Sequence, residues 1–197
     1  MFKPSLALFL LLCAPGAWAA DGPPPPAEGA VNPPPAAPFN RYQRFEAAPV
    51  EMGAPFAGQK SNEIARERLQ ANLDERLGPL LQEWNAAAAG AAPATLRIVP
   101  QVRHIRFISG GKRFFGGPFA GGSSIMVTLK ITDAASGEVV AEPDFYQHAN
   151  AMGAAWSYGA TDKAMLIRIA IMATEYLRSN YAQTVAVPVS QAPDIPY

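Results

Sequence analysis

Cysteine is almost absent from this chain: of 197 residues only Cys13 carries a thiol, and it sits in an amino-terminal apolar run. A chain cleaved beyond it has no disulfide, no thiol nucleophile and no thiolate metal ligand, so its core must hold the fold unaided. Histidine is nearly as scarce, with His104 and His148 alone. Net charge is absent too, since 16 Lys and Arg face 16 Asp and Glu, which leaves no global field for nucleic acid or anionic lipid. Nowhere does an apolar run reach the roughly 18 residues that span a bilayer, which predicts a chain without a membrane span.

What is present begins with an address. In residues 1–20, Lys3 precedes the apolar stretch from Leu6 to Cys13, Pro15 and Gly16 break it, and Ala17, Trp18 and Ala19 follow. Small side chains before a cut are what a signal peptidase reads, so cleavage is expected near Ala19 or Ala20. Leu12, a bulky residue, stands where a lipoprotein peptidase needs a small one, and Cys13 lies inside the apolar stretch rather than after it. A lipid anchor is therefore not expected.

The remainder divides into a proline-rich linker over 21–42, a single domain over 43–184 and an extended tail over 185–197. The runs of prolines among alanines in 22–38 favour extended polyproline II and cannot fill a core, which predicts a spacer. About 150 residues remain, enough chain for one domain with a real core.

Within the domain the apolar pattern changes period. Residues 44–51 are a candidate for a short first strand, an edge at best because of Pro49, and the sequence does not decide whether it forms. After Ser61, a good N-cap with Glu63 in the first turn, Leu69, Leu73, Leu77, Leu80, Leu81 and Trp84 recur at helical spacing. Gly78 and Pro79 predict either a kink or a helix-break-helix, ahead of a disordered-looking 86–93. In the strand 95–108, Leu96 and Ile98 share one parity while Ile105 and Phe107 share the other. One face stays apolar only if an extra residue intervenes, and Pro100 is the expected site of that bulge. Ile125, Val127, Leu129 and Ile131 alternate as a second strand. The turn from Asp133 to Gly137, with Gly137 at positive φ, returns the chain into a partner strand over 138–148. A second helix over 161–181 is capped by Thr161, with Asp162 at the positive end of its dipole. It is apolar throughout 164–173 except at Arg168, which with Glu175 and Ser179 is expected to form a narrow exposed stripe. The fold class that follows is α+β, order (β)αβββα: an antiparallel-rich, three- to four-stranded sheet with two helices packed on one face.

The glycine-rich loop before the second strand carries Lys112, Arg113, Phe114 and Phe115 between glycine pairs, then Phe119, Ala120, Gly121 and Gly122. With the strand and the D-A-x-x-G turn that follow, it resembles a bacterial family of exported proteins of unknown function, often lipoproteins. The resemblance covers about 95–181. It implies a fold similar to the small helix-and-sheet domain of the curli-secretion lipoprotein and of the amino-terminal domain of the Tol translocation protein, and it brings no catalytic residues. Pro118 among the glycines departs from the family pattern.

Several side-chain sets bear on function. Glycine backbones with Lys112 and Arg113 are the ingredients of an anion cradle, but a strand rather than a helix follows, and no phosphate-loop fingerprint is present. Phe114, Phe115 and Phe119 then either fold onto the core or, exposed, form an apolar patch for a protein partner. Trp156 and Tyr158, among the small residues of 150–160, staple the second helix or line a groove, the latter of interest only beside the glycine loop. His104 and His148, even with Glu142 or Asp144, match no metal-site spacing and read as strand histidines. Ser123 and Ser124 lack the G-x-S-x-G setting of a hydrolase nucleophile. These readings converge on a non-enzymatic binding or assembly module without a cofactor. It is expected in the periplasm or at the outer membrane, with an envelope protein or a second copy as partner. A periplasmic hydrolase and a small-ligand carrier are the alternatives.

Overall fold

The computed structural model describes residues 25–87, 94–107, 122–149 and 160–190. The expected leader and its expected cleavage site, the stretch 88–93, the glycine-rich loop, the Trp156 segment and the end of the tail lie outside these residues. The elements run β1 (Val31–Asn32), a 3-10 turn (Phe39–Arg41), β2 (Arg44–Ala47), β3 (Glu51–Met52), α1 (Lys60–Ala86), β4 (Thr95–Arg106), β5 (Ser123–Asp133), β6 (Val139–Ala141), β7 (Asp144–Ala149), α2 (Ala160–Ser179) and β8 (Val187–Pro188). The class is α+β, as the patterning predicts.

The sheet has six strands rather than three or four. Its outer lines are each broken in two. On one side β2 and β3 both pair with β4; on the other, β6 and β7 both pair with β5. Prolines cause both breaks. Ile98 and Val102 turn their carbonyls toward the β2/β3 side, accepting from Ala48 N–H at 2.8 Å and Gly53 N–H at 3.2 Å. Pro100 stands midway in that alternation with no N–H to offer, so pairing lapses between Ala47 and Glu51. Val50 falls in the gap, buried, and its N–H is taken by Gln70 Oε1 of α1 at 2.7 Å. Across the sheet, Pro143 separates β6 from β7 while its carbonyl still accepts from Leu129 N–H at 3.0 Å.

A second difference is direction: β2 and β3 run parallel to β4. They reach it through α1, and a strand-helix-strand crossover brings its strands back parallel. The remaining pairs are antiparallel.

The bulge in β4 exists but lies at Arg103, not at Pro100: Val102 pairs with Val127 while His104 pairs with Met126. It flips the alternation as required, keeping Leu96, Ile98 and Val102 before it, and Ile105 after it, in the core. Pro100 stays in register opposite Leu129 because its missing donor faces the other strand line. The Asp133 turn forms as expected, with Gly137 at φ 74°. Asp133 Oδ1 accepts from the N–H groups of Ala135 and Ser136 at 2.8 and 2.9 Å, bonds that hold this carboxyl below its ordinary range.

Both helices pack on the face carrying Ile125, Val127, Leu129 and Ile131. Helix α1 starts one residue before Ser61, with Gln59 as an N-cap whose side chain bonds Pro55 O rather than the first turn. Glu63 serves instead, accepting from Gly58 N–H at 3.1 Å. The helix does not break at Pro79. A proline inside a helix costs about 3 kcal/mol, while Leu80, Leu81 and Trp84 beyond it are all buried, each worth roughly 1.5–3 kcal/mol. Burial wins. Trp84 stacks on Tyr181 at 4.3 Å and packs against Phe45 at 4.9 Å, tying α1 to β2 and to the chain after α2. Arg168 departs from the expected exposed stripe, being half-buried.

The proline-rich segment also departs from a free spacer. Asn32 and Phe39 within it are buried, and Phe39 lies against Tyr176 at 6.2 Å between centroids. The segment is laid down by its non-proline residues: β1 pairs with β8, and Ala36 N–H reaches Val140 O at 3.2 Å. Composition alone hides this, because a few anchors suffice to dock an extended chain.

Candidate functional site

Strand pairing decides what meets at the loop end of the sheet. Ser124 pairs with Arg106 on one side and His148 on the other, and Ser123 pairs with Ala149. The glycine-rich loop joins β4 to β5, and the Trp156 segment joins β7 to α2. Both loops therefore leave from one end of the sheet, within a row of each other. Neither spacing nor composition shows this; it follows from the bulge at Arg103 and the hairpin register together. Lys112, Arg113, Phe114, Phe115, Phe119, Trp156 and Tyr158 themselves lie outside the described residues.

Beneath that end, on the face away from the helices, is a polar row. His104 Nε2 and Ser124 Oγ are 3.1 Å apart, and the Tyr146 phenol shares a hydrogen bond with Ser124. His104 is buried, and Phe56 meets its ring edge-on at 5.5 Å. Burial, then the Arg106 charge, pushes the His104 imidazole below its ordinary pKa, so it is held neutral. Burial raises the Tyr146 phenol, partly offset by Ser124. Beside the row a cavity of about 540 Å³ is lined by Pro55, Phe56, Gln59, Asn62, His104 and Phe107.

Sequence reasoning treated His104 and Ser124 separately, and the structure joins them. A serine and a histidine at this distance are the first two members of a nucleophilic set, which needs a third group to orient the imidazole. Asp144 is committed elsewhere: its carboxylate takes the Thr128 hydroxyl in a short bond, and its backbone is bound by Asn32. His104 and His148 stand on opposite sides of β5. No cluster of three or more His, Cys, Asp or Glu among the described residues is placed to hold a metal ion. No helix among them is long and apolar enough to cross a membrane.

The chain is similar to several solved bacterial structures. One is the PelC dodecamer from Paraburkholderia phytofirmans, at 15% identity, covering 70% of this chain and 89% of that one, with a TM-score of 0.31. A DUF330 protein from Xanthomonas campestris shares 13% identity over 74% of this chain and 87% of its own, with a TM-score of 0.39. A minor lipoprotein from Acinetobacter baumannii shares 11% identity over 73% and 98%, with a TM-score of 0.37. No family model matches the chain, and the comparison with curated proteins gives no match.

A second cavity, of about 340 Å³, lies beside β7 between the segment 25–30 and α2. At its wall the Arg168 Nε is buried with no hydrogen-bond partner among the described residues.

Proposed function

We propose that this protein is an exported binding or assembly module of the bacterial envelope that engages a partner protein through the loop end of its sheet. The observation that carries this reading is the pairing of Ser123 with Ala149, which makes the phenylalanine-bearing loop and the Trp156 loop neighbours at their origins. The sheet edges support it from the other direction. Asn85 of α1 gives Nδ2–H to Phe45 O at 3.0 Å and accepts Phe45 N–H at 2.7 Å. Asn32 does the same for Asp144 on the opposite edge. Strand addition, the usual way for a small sheet to recruit an extended partner, meets occupied edges at both places.

The test is a photo-crosslinking amino acid placed in living cells at Phe114, at Trp156, or at Val139 near the opposite end. Adducts with one partner, or with a second copy, are expected from the first two positions and not from Val139. Equal capture from Val139 overturns the assignment. Mass spectrometry of the mature amino terminus tests export: a chain beginning near Ala20 is expected, and an acylated Cys13 refutes the cleavage expectation.

The Ser124–His104 contact favours one competing reading, a hydrolase with Ser124 as nucleophile. Turnover in a panel of ester and amide substrates that Ser124→Ala abolishes would establish it and displace the non-enzymatic reading.

A further inference from the structure

The cavity at Arg168 lies where three parts of the chain meet: the segment 25–30, β7 and α2. Its outer wall comes from 25–30, where Ala30 N–H closes a turn on Ala27 O at 3.0 Å and Gly29 takes φ 75°. That wall is fixed to the fold in series: Ala30 O accepts from Val189 N–H, and Val189 O accepts from Tyr146 N–H, both at 2.9 Å. Tyr146, Gln147 and His148 of β7, with Ser190 beyond β8, complete the lining. Arg168 stands one helical turn before Met172, whose sulfur accepts from Gln147 Nε2 at 3.3 Å, so α2 presents it toward β7.

Arg168 is the only charged residue between Ala164 and Ala173, and it makes no ion pair among the described residues. Glu28, on the exposed rim of the same cavity, is not paired with it. A buried donor left unbonded is destabilising by itself, and the Arg168 Nε is such a donor. Its chemistry is that of recognition. The guanidinium is a planar fork of donors, permanently charged, that suits two oxygens of a carboxylate or phosphate at once. A volume near 340 Å³ is that of a small-molecule pocket, larger than a simple ion needs.

We propose that the Arg168 cavity is a binding site for a small organic anion, held through an oxyanion group by the Arg168 fork and closed on its outer side by the proline-rich segment. The inference stands apart from the loop-end interface and does not depend on it.

The test uses the full chain and three probes: succinate for a carboxylate, inorganic phosphate for a phosphate, and a short-chain phosphatidylglycerol below its micelle concentration for a lipid headgroup. At least one is expected to raise Tm and to bind in calorimetry, and the one that does identifies the source of the oxyanion. Arg168→Met is expected to lose at least about tenfold in affinity, while its Tm without anion is unchanged or higher because the orphaned donor is gone. Absence of binding by all three at on the order of 10 mM, or equal binding by Arg168→Met, overturns the proposal. So does a fall in the anion-free Tm of a folded Arg168→Met, which would make the residue structural. If that variant does not fold, Arg168→Lys decides, since it keeps the charge and loses the fork. Affinity lowered at least about threefold supports the site, and unchanged affinity overturns it.

Discussion

Asn32 binds Asp144 through both ends of its amide, donating Nδ2–H to the Asp144 carbonyl and accepting the Asp144 N–H, each at 2.8 Å across 112 positions of sequence. One side chain here does the work of a strand residue, satisfying both backbone groups at the start of β7, two residues before Tyr146 gives its N–H to Val189 O. Asn32→Ala leaves both groups unpaired in a partly buried setting, which predicts a loss of about 1–3 kcal/mol in chemical denaturation. Limited proteolysis should then cut the chain between Asn32 and Phe39. Unchanged stability with no new cleavage would show that the β1–β8 pairing alone holds the segment.

His104 carries an acid sensitivity. Its folded pKa lies below the ordinary value because burial and Arg106 oppose its charge. The unfolded chain therefore binds a proton that the folded chain resists. Stability from this residue is full above about pH 6.5 and is lost as pH falls through the lower folded pKa. Denaturation midpoints measured across that range should fall less steeply for His104→Gln than for the natural chain. Parallel curves would mean that the imidazole titrates freely.

Tyr176 sets the alkaline limit. Its ring is fully buried and its phenol, hydrogen-bonded to Pro33 O at 3.3 Å, is pushed up to about 12 by burial. The unfolded phenol titrates near 10, so the contribution is full below about pH 10 and falls as pH rises through 12, by about 2–3 kcal/mol. Tyr176→Phe should flatten that alkaline decline. A decline of unchanged slope in the variant would assign it to other groups.

The rings of the glycine-rich loop are tested by Phe114→Ser combined with Phe115→Ser. Partner capture should fall sharply while Tm moves by less than roughly 3 °C, the scale of about 1 kcal/mol in a domain of this size. A large drop in Tm with capture retained would place those rings in the core.

The parts of the fold that were legible in the sequence are those governed by periodicity. The Leu69 to Trp84 stripe, the alternation of β5 and the Asp133 turn each follow from local repeat and turn chemistry, and each is present. What escaped depends on single polar side chains reaching across the chain. Asn32 and Asn85 each bond backbone far off in sequence, at Asp144 and at Phe45. An asparagine looks the same in a sequence whether it faces water or replaces a strand. The bulge shows the intermediate case: the phase change in β4 demanded an extra residue, but Pro100 was a misleading marker because its missing donor faces β2 and β3. For the candidate site, the loops were visible as compositions, whereas their common origin and the His104–Ser124 contact required strand register, which no local signal encodes.

Docking of the proline-rich segment also fixes how the molecule answers to force. Tension applied ahead of Pro25 reaches the two-residue β1–β8 pair and the Asn32 clamp before it reaches Phe39, which is seated in the core. A few hydrogen bonds lie in that load path first, and the six-stranded sheet lies behind them. Under a pull the strap peels and lengthens, opening the wall of the Arg168 cavity, while the domain keeps its shape.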